Sequence, residues 1–479
     1  MFKKPISFLL FLCLALGTYA AGQAKYVFYF IGDGMGVNQV NGTQTFLAAL
    51  QGRIGIQPLC FTSFPHAALI TTCSGTNGVT DSAAAGTALA TGHKTRNSCL
   101  GVLADGTTPV QSIAAGARQA GATVGVGTSV SVDHATPAAF YAHQPNRRNY
   151  YPIGQDLVKA GFDFYAGSDF ITPDGGQGAP SLYEQCAQGG YTILRGYPDF
   201  CRAMGTKQGR RQRMILLQPE EASQRDRNSL PYAIDRDPER DLSLQQITRA
   251  GIEYLSAQAG KQGFFLMIEG GKIDFACHSN DAATVFRETM DMDEAIREAL
   301  AFYRKHPEET LIVVTADHET GGIVLGRGPY ELHTDLLQFQ RMSVEAYSAH
   351  IRKLCEEQGE TLTWPTVEAD LRANWGFGQG VQLSEKQWKR LRGDFEAMQS
   401  GAAKDAQSLY ASVNRLADSA RDIMAQCALI GWQSGGHSNG YVPVFAIGRG
   451  AEHFHGQMDN TQIPRVISRV TGWGLTGAE

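Results

Sequence analysis

Apolar, strand-like segments alternate with helix-like segments along most of this chain, and this alternation restricts the folds available to it. The strand-like runs cover residues 25–31, 67–72, 123–132, 263–268, 310–315 and 442–447. Helical patterns separate them, most clearly at residues 109–120, 242–257 and 282–304, and a further helix-like stretch covers residues 138–148. Alternating strands and helices favour a parallel sheet with helices packed on its faces. The sequence therefore predicts an α/β fold with one large, mostly parallel central sheet flanked by helices.

Acidic and histidine residues follow directly after several predicted strands. Asp33, Glu269 and the pair Asp317 and His318 each come immediately after an apolar run. The carboxyl ends of parallel strands meet at one edge of a sheet, where open α/β sheets bind their ligands. Asp317 and His318 can converge on one point only if the strand ends before them, because strand neighbours face opposite sides.

Further candidate metal ligands lie on a predicted helical turn and in a glycine-rich loop. Asp274 and His278 are four residues apart and face the same way on a helix, while His437 lies in the loop 431–440. A set of mixed oxygen and nitrogen ligands suits zinc, and it comprises Asp33, Asp274, His278, Asp317, His318 and His437. Glu269 and Thr136 add oxygen ligands that suit magnesium.

The segment 79–95, VTDSAAAGTALATGHKT, supplies a candidate nucleophile. Asp81 precedes Ser82, and a run of small, helix-favouring residues then continues to about Gly92. Unpaired N–H groups at such a helix start favour an anion such as phosphate. An ordinary helix cap also explains this segment by itself. A serine beside metal ligands is, however, what phosphoryl transfer requires, because metals lower the pKa of the attacking hydroxyl.

The N-terminus has the layout of a secretory signal peptide. Lys3 and Lys4 precede an apolar run at 6–16, and small residues follow. We expect residues 1–20 to be removed, with cleavage after Ala20 or nearby, and the protein to be secreted or periplasmic. Eight cysteines remain after cleavage in an oxidising compartment, and Cys186 with Cys201 is the one pair we select as a candidate disulfide.

Composition argues against several classes of protein. Loss of the two leader lysines lowers the formal net charge from −5 to −7, which disfavours nucleic acid as a partner. We find no membrane-spanning candidate after the leader, so the mature protein is expected to have no membrane partner. The glycines of GDGMG at 32–36 lack the G-x-G-x-x-G spacing of a dinucleotide loop.

The mature chain, residues 21–479, is expected to form a single catalytic domain with an insertion. Residues 329–427 are helical in character, with helical apolar spacing at 336–354 and 408–427. This segment is predicted to be a helical cap packed beside the main sheet.

Six separate segments resemble the alkaline phosphatase family closely. They are IGDGMG at 31–36, VTDSAAAGTALATGHKT at 79–95, HATPAAFYAHQPNR at 134–147, EGGKIDFACH at 269–278, TADHETGG at 315–322 and GGHS at 435–438. Their order matches that of the family, and they span nearly all of the mature chain. The resemblance implies hydrolysis of phosphate monoesters through a phosphoserine, assisted by two zinc ions and one magnesium ion, in a homodimer.

The resemblance also assigns roles residue by residue. It implies that Ser82 attacks phosphorus, that Arg147 binds two phosphate oxygens, and that Asp81 orients Arg147. One zinc would be held by Asp33, Asp317 and His318, the other by Asp274, His278 and His437, and magnesium by Asp33, Thr136 and Glu269. Arg147 is preferred to Arg148 because the family's spacing, counted from His143, ends there.

Two positions depart from the best-known bacterial pattern. His134 stands where that pattern has an aspartate near magnesium, and imidazole favours zinc over magnesium. Phe275 stands where the pattern has a lysine that reaches phosphate through water, so phosphate should be held less tightly.

Three other functions compete with that of a phosphomonoesterase. A phosphodiesterase of the same superfamily is the nearest, although such enzymes often lack the phosphate-binding arginine. A sulfatase would need its own modification motif, which we do not find in the sequence. An inactive scaffold protein would have lost ligands, whereas every expected zinc ligand and the serine are present.

Overall fold

A large mixed sheet forms the centre of the protein, whose computed structural model describes residues 23–176 and 178–475. The strands are β1 (Tyr26–Gly32), β2 (His66–Thr71), β3 (Thr123–Thr128), β4 (Phe164–Gly167), β5 (Tyr191–Arg195), β6 (Arg213–Leu217), β7 (Phe264–Gly270), β8 (Thr310–Ala316), β9 (Glu319–Thr320), β10 (Val324–Leu325), β11 (Ala406–Gln407), β12 (Ser412–Val413), β13 (Ile430–Gly431), β14 (His437–Ser438), β15 (Val442–Gly448) and β16 (Gly456–Asp459). Ten of them form the central sheet, and the other six form three two-stranded ribbons.

The central sheet has the strand order β16-β2-β15-β8-β1-β7-β3-β4-β6-β5. Strand β15 runs antiparallel to both of its neighbours, and every other neighbouring pair is parallel. Gly32 at the end of β1 pairs with Gly270 of β7 on one side and Ala316 of β8 on the other. These three strands therefore end at the same level, and the residues that follow them meet at one edge of the sheet.

The middle of the sheet is buried on both faces. All seven residues of β7 and all seven of β8 are buried, because helices cover both sides. Burial of a large aliphatic or aromatic side chain contributes roughly 1.5–3 kcal/mol. Continuous apolar runs, without polar alternation, are typical of such central parallel strands. This packing gives the carboxyl edge a rigid base.

The helices lie between the strands along the chain. They are α1 (Val37–Ala49), α2 (Ser82–Thr91), α3 (Ile113–Gln119), α4 (Ala135–Ala138), α5 (Tyr150–Ala160), α6 (Leu182–Gln188), α7 (Gly196–Met204), α8 (Glu220–Arg225), α9 (Leu244–Gln258), α10 (Lys272–His278), α11 (Ala282–Tyr303), α12 (Val344–Gln358), α13 (Trp364–Trp375), α14 (Glu385–Gln399), α15 (Arg415–Cys427) and α16 (Gln462–Thr471). None of the described helices combines the length and apolarity needed to cross a bilayer.

The predicted fold class is confirmed, and the strands expected from apolar runs are all present within a few residues of their predicted bounds. Strands β4, β5 and β6 were missed. Each has only four or five residues and lies in a glycine-rich and charged stretch. The predicted leader, residues 1–20, lies outside the described residues.

Two local expectations were wrong. The helix expected over residues 138–148 does not form. Helix α4 covers Ala135–Ala138, and the chain then turns so that Gln144 pairs with Leu100. The candidate disulfide does not form: all eight cysteines of the described residues are free, with Cys186 buried on α6 and Cys201 exposed on α7.

Between residues 329 and 427 the chain forms helices α12 to α15 and a small hairpin of β11 and β12. These elements follow β10 and precede β13, which pair with each other. The segment therefore begins and ends beside the same two-stranded ribbon.

Candidate active site

The turn after β1 and the end of β8 bring three predicted ligands together. His318 Nε2 lies 3.3 Å from Asp33 Oδ1 and 3.3 Å from Asp317 Oδ2. Asp317 is held by the N–H groups of Gly34 and His318, at 3.2 and 2.9 Å. Gly34 has a φ of +73°, and a Cβ there would lie 2.9 Å from the Cα of Asp274. The close approach thus requires glycine at this turn.

Ser82 is fully buried beside this first cluster, at the start of α2. Its Oγ lies 3.2 Å from His318 Nε2. Asp81 is the N-cap, since its Oδ1 accepts the Ala84 N–H at 3.0 Å, as expected for an acidic residue before an alanine-rich helix. Because Asp81 caps the helix, the Ser82 hydroxyl is not needed for capping and remains available to a ligand.

A second cluster consists of Asp274 and His278 on α10 and His437 on β14. His278 Nε2 lies 3.2 Å from both Asp274 Oδ2 and His437 Nε2. The Nδ1 atoms of the two histidines face backbone carbonyls, of Gly435 at 2.6 Å and Thr80 at 2.8 Å. When each Nδ1–H donates to its carbonyl, the Nε2 lone pair points into the cluster, as it does in metal-binding histidines.

Thr320 connects the two clusters, and the sequence reasoning did not identify it. Its hydroxyl donates to Asp274 Oδ1 at 2.5 Å and lies 3.2 Å from His318 Nδ1. Thr320 on β9 also pairs with His437 on β14, which fixes the glycine-rich loop against the end of β8. Thr320 lies within TADHETGG, but the resemblance gave it no role, because its contacts depend on this pairing.

A third cluster lies on the other side of Asp33. Asp33, His134 and Glu269 each offer a ligand atom, and these atoms lie within 4.8 Å of one another. Glu269 Oε2 accepts a hydrogen bond from Thr128, which leaves Oε1 without a donor. The Thr136 hydroxyl is buried here as well, 3.5 Å from Asp317 Oδ2.

The buried carboxylates of Asp33, Glu269 and Asp317 lack sufficient compensating charge. Neither oxygen of Asp33 has a hydrogen-bond donor. Burial raises the pKa of Asp33 well above its ordinary value, and the carboxylates of Asp317, Asp274 and Glu269 raise it further. Burial also raises the pKa of Glu269 and, together with Asp274, that of Asp317. Divalent cations would compensate this concentration of negative charge, so the residues fit the metals that the sequence predicts.

The imidazoles of His134 and His318 are in the state that metals need. Burial lowers the pKa of His134 to about 3, with Arg147 adding to the effect. Burial and His437 together hold the pKa of His318 well below its usual range. These rings are therefore neutral, and a neutral imidazole is a metal ligand.

Arg147 points into the site, whereas Arg148 lies at the surface. Arg147 Nη1 donates to Asp81 Oδ2 at 3.3 Å, and Nη2 lies 3.3 Å from His134 Nε2. Burial opposes the charge of the guanidinium, but Tyr410 and Asp81 raise the pKa of Arg147 above its ordinary value. The planar donor groups of Arg147 therefore stay charged beside Ser82, which suits the binding of phosphate oxygens.

An aromatic pair borders the site next to Arg147. Phe275, between the ligands of α10, stacks on Tyr410 with ring centroids 3.7 Å apart and an interplanar angle of 15°. Burial raises the pKa of the Tyr410 phenol well above its ordinary value. Tyr410 belongs to the segment 329–427, and no pattern in the sequence placed it near the other site residues.

A parallel α/β sheet whose carboxyl edge holds a buried serine, an arginine and three sets of metal-binding side chains defines the class of metal-dependent phosphoester hydrolases. Sequence comparison identifies the family: the profile described as "Alkaline phosphatase" matches residues 24–163 and 225–472. The chain belongs to the alkaline phosphatase family, as its six motifs indicated, and hydrolyses phosphate monoesters.

Individual relatives agree with this assignment. Alkaline phosphatase 4 of Bacillus subtilis (strain 168) is 30% identical over 405 residues, which cover 83% of this chain and 77% of that protein. The crystal structure of a cold-active alkaline phosphatase from the psychrophile Shewanella sp. has a TM-score of 0.76 and 27% identity, covering 93% of this chain and 99% of that one. A His-to-Glu variant of TAB5 alkaline phosphatase, with Mg bound in its M3 site, has a TM-score of 0.64 and 25% identity. The match covers 95% of this chain and 99% of that one.

Proposed function

We propose that Ser82 is the nucleophile of this phosphatase and that it forms a phosphoserine intermediate. The observation that carries the proposal is the position of Ser82 Oγ, at a helix N-terminus and 3.2 Å from His318 Nε2, beside the cluster of Asp33, Asp317 and His318. Attack by Oγ forms the Oγ–P bond and breaks the ester bond, which releases the alcohol. Water then attacks phosphorus, releases phosphate and regenerates the hydroxyl.

Two zinc ions and one magnesium ion are the proposed cofactors. Asp33, Asp317 and His318 would hold one zinc, and Asp274, His278 and His437 the other. Asp33, Thr136 and Glu269 would hold magnesium, with His134 adjoining. The first of these zinc ions would lower the pKa of the Ser82 hydroxyl, and the second would stabilise charge on the departing oxygen.

The protein groups around the phosphate would bind and orient it. Arg147 would bind two terminal phosphate oxygens through its planar pair of donors, while Asp81 holds the guanidinium in place. The unpaired N–H groups at the start of α2 would stabilise further negative charge on the same phosphate. These contacts would orient phosphorus towards Ser82 Oγ before the reaction begins.

Metal analysis together with assays before and after chelation tests the proposed cofactors. We expect about three metal equivalents per chain in the active protein, of which zinc supplies two. Chelation should abolish hydrolysis of p-nitrophenyl phosphate, and zinc with magnesium should restore it. Full activity in a preparation shown by elemental analysis to be metal-free would contradict the proposal.

His134 should govern the identity of the third metal. Its imidazole adjoins Asp33 and Glu269, so zinc is expected to compete with magnesium there. We expect His134→Asp to increase the magnesium-to-zinc ratio at this site about tenfold or more, because an all-oxygen site suits magnesium. The measurement is metal content after equilibration with both ions. His143→Asp is the control, since His143 contacts Gly101 and lies outside the three clusters; equal ratios in the two variants would contradict this role.

Phe275 should weaken product inhibition, because it leaves the phosphate without a second cationic side chain besides Arg147. We expect Phe275→Lys to lower the inhibition constant of phosphate by about tenfold, as for one added charge-assisted hydrogen bond. Phe275→Met is the control, because it retains an apolar side chain without adding charge. An unchanged inhibition constant of phosphate in Phe275→Lys would contradict this role of Phe275.

Several wider proposals accompany this function. Residues 21–479 would form one catalytic domain, with 329–427 as an insertion that shapes access to the site. Residues 1–20 would act as a signal peptide that directs the protein to the periplasm or the exterior. The mature protein would form a homodimer, and neither nucleic acid nor a membrane would be a partner.

A further inference from the structure

Tyr410 lies at the tip of the hairpin formed by β11 and β12. The Ser408 N–H donates to the Ala411 carbonyl at 2.8 Å, which closes a turn with Leu409 and Tyr410 at its centre. Leu409 is 59% exposed, whereas the ring of Tyr410 stacks on Phe275 in the site. The hairpin therefore presents one of its two tip residues to the solvent and the other to the active site.

Polar contacts with α12 hold this hairpin in position. Arg352 on α12 donates to Asp405 Oδ2 at 2.6 Å and to the Ser412 carbonyl at 3.0 Å. Immediately after the hairpin, the Asn414 N–H donates to the Ser348 hydroxyl at 2.8 Å, and this contact is buried. Both ends of the hairpin are thus fixed to one helix.

The start of α12 is fixed beside the zinc ligands of α10. The Val344 N–H donates to Asp281 Oδ2 at 2.9 Å. Glu345 accepts a hydrogen bond from the hydroxyl of Ser279, the residue that follows His278, at 3.1 Å. A continuous series of hydrogen bonds therefore links α10 to the hairpin, and the position of Tyr410 is set relative to the reacting groups.

Rings from three elements converge beside Arg147. Tyr410 lies 3.7 Å from Phe275, 5.3 Å from His278 and 6.1 Å from His134, measured between ring centroids. His134 Nε2 is itself 3.3 Å from Arg147 Nη2. The stacked pair therefore packs against the ring of His134, which in turn contacts the guanidinium of Arg147.

Monoesters and diesters differ in what they place near Arg147. A monoester presents three terminal oxygens, two of which can accept the paired donors of an arginine. In a diester, a second organic group replaces one of those oxygens and needs room beside the guanidinium. Closely packed, well-fixed rings cannot move aside for such a group without losing their contacts.

We propose that Tyr410 is a specificity-determining residue that selects phosphate monoesters over diesters by occupying, with Phe275, the space that the second ester group would need. The proposal rests on the role proposed above for Arg147 in binding two terminal oxygens. Selection of this kind excludes the diester sterically and adds no contact to the monoester.

The test compares kcat/KM for p-nitrophenyl phosphate and bis(p-nitrophenyl) phosphate. We expect Tyr410→Ala to raise the diester-to-monoester ratio about tenfold or more, the scale of discrimination by shape in an enzyme pocket. Tyr410→Phe should keep the ratio within about twofold of the parent, since it retains the ring. Leu409→Ala is the matched control: it truncates the neighbouring tip residue, which is exposed, and should leave the ratio unchanged.

An unchanged ratio in a folded Tyr410→Ala variant would overturn the proposal. An equal rise of the diester-to-monoester ratio in Leu409→Ala would also overturn it, because the effect would then come from the hairpin as a whole. An equal rise in Tyr410→Phe would overturn it as well, because the effect would then come from the hydroxyl and not from the ring. Arg147→Ala separates this failure from that of the proposed function. If that variant binds phosphate as tightly as the parent, then the role of Arg147 fails; if it binds phosphate more weakly while Tyr410→Ala keeps the parental ratio, only the role of Tyr410 fails.

Discussion

Replacement of Ser82 with alanine is expected to abolish the phosphoenzyme and to lower kcat for a phosphate monoester on the order of 10³-fold or more. The physical reason is the loss of the atom proposed to attack the phosphorus of the substrate in the first step. Asp81 provides the side-chain cap of α2 through its bond to the Ala84 N–H, so this substitution removes no cap. Loss of activity in Ser82→Ala would therefore report chemistry and not unfolding.

Rapid acid quenching followed by peptide analysis measures the intermediate directly. In the parent, phosphate should be found on the peptide that contains Ser82, and in the variant on no peptide. Ser112→Ala is a matched control, because Ser112 is also a buried serine at a helix start and caps α3 through the Ala115 N–H. That variant should lose about 1 kcal/mol of stability, the usual value of a helix cap, and retain the phosphoenzyme. A phosphoenzyme in Ser82→Ala would falsify the assignment of the nucleophile.

Features of the protein that depend on a short stretch of sequence could be predicted. The helix beginning at Ser82 followed from an acidic cap and a run of alanines, and the structure has it at Ser82–Thr91. The pair Asp274 and His278 was expected to share one helical face, and α10 places their ligand atoms 3.2 Å apart. Capping and helical periodicity act over a few residues, so these patterns are readable without the rest of the fold.

Features that depend on distant contacts could not be predicted. Tyr410 reaches Phe275 only because α12 carries the hairpin back over the site, and its own neighbours in sequence, Leu409 and Ala411, carry no signal of this. Thr320 contacts Asp274 and His318 in the first two clusters and pairs with His437, which is more than a hundred residues away in sequence. The short helix that ends at Ala138 shows the opposite error, in which a tertiary turn overrides local helical propensity.

Replacement of Asp33 with asparagine is expected to remove more metal than the loss of any ligand that serves one site. Asp33 belongs to two of the three clusters, with Asp317 and His318 on one side and with His134 and Glu269 on the other. An amide keeps the size of the side chain but removes its charge and one acceptor oxygen. We therefore expect Asp33→Asn to lose about two metal equivalents, and with them the several kcal/mol of transition-state stabilisation that metals supply.

His437→Ala and Asp133→Asn make this prediction quantitative. His437 belongs to a single cluster, so its variant should lose about one metal equivalent. Asp133 is also a buried aspartate, and burial raises its pKa to about 7, but it accepts the Ile171 N–H and belongs to none of the clusters. Its asparagine variant should keep the parental metal content. A metal content in Asp33→Asn equal to that of Asp133→Asn would mean that Asp33 holds no metal, and a loss equal to that of His437→Ala would mean that Asp33 serves one site. A loss twice that of His437→Ala would place its carboxylate between two metals.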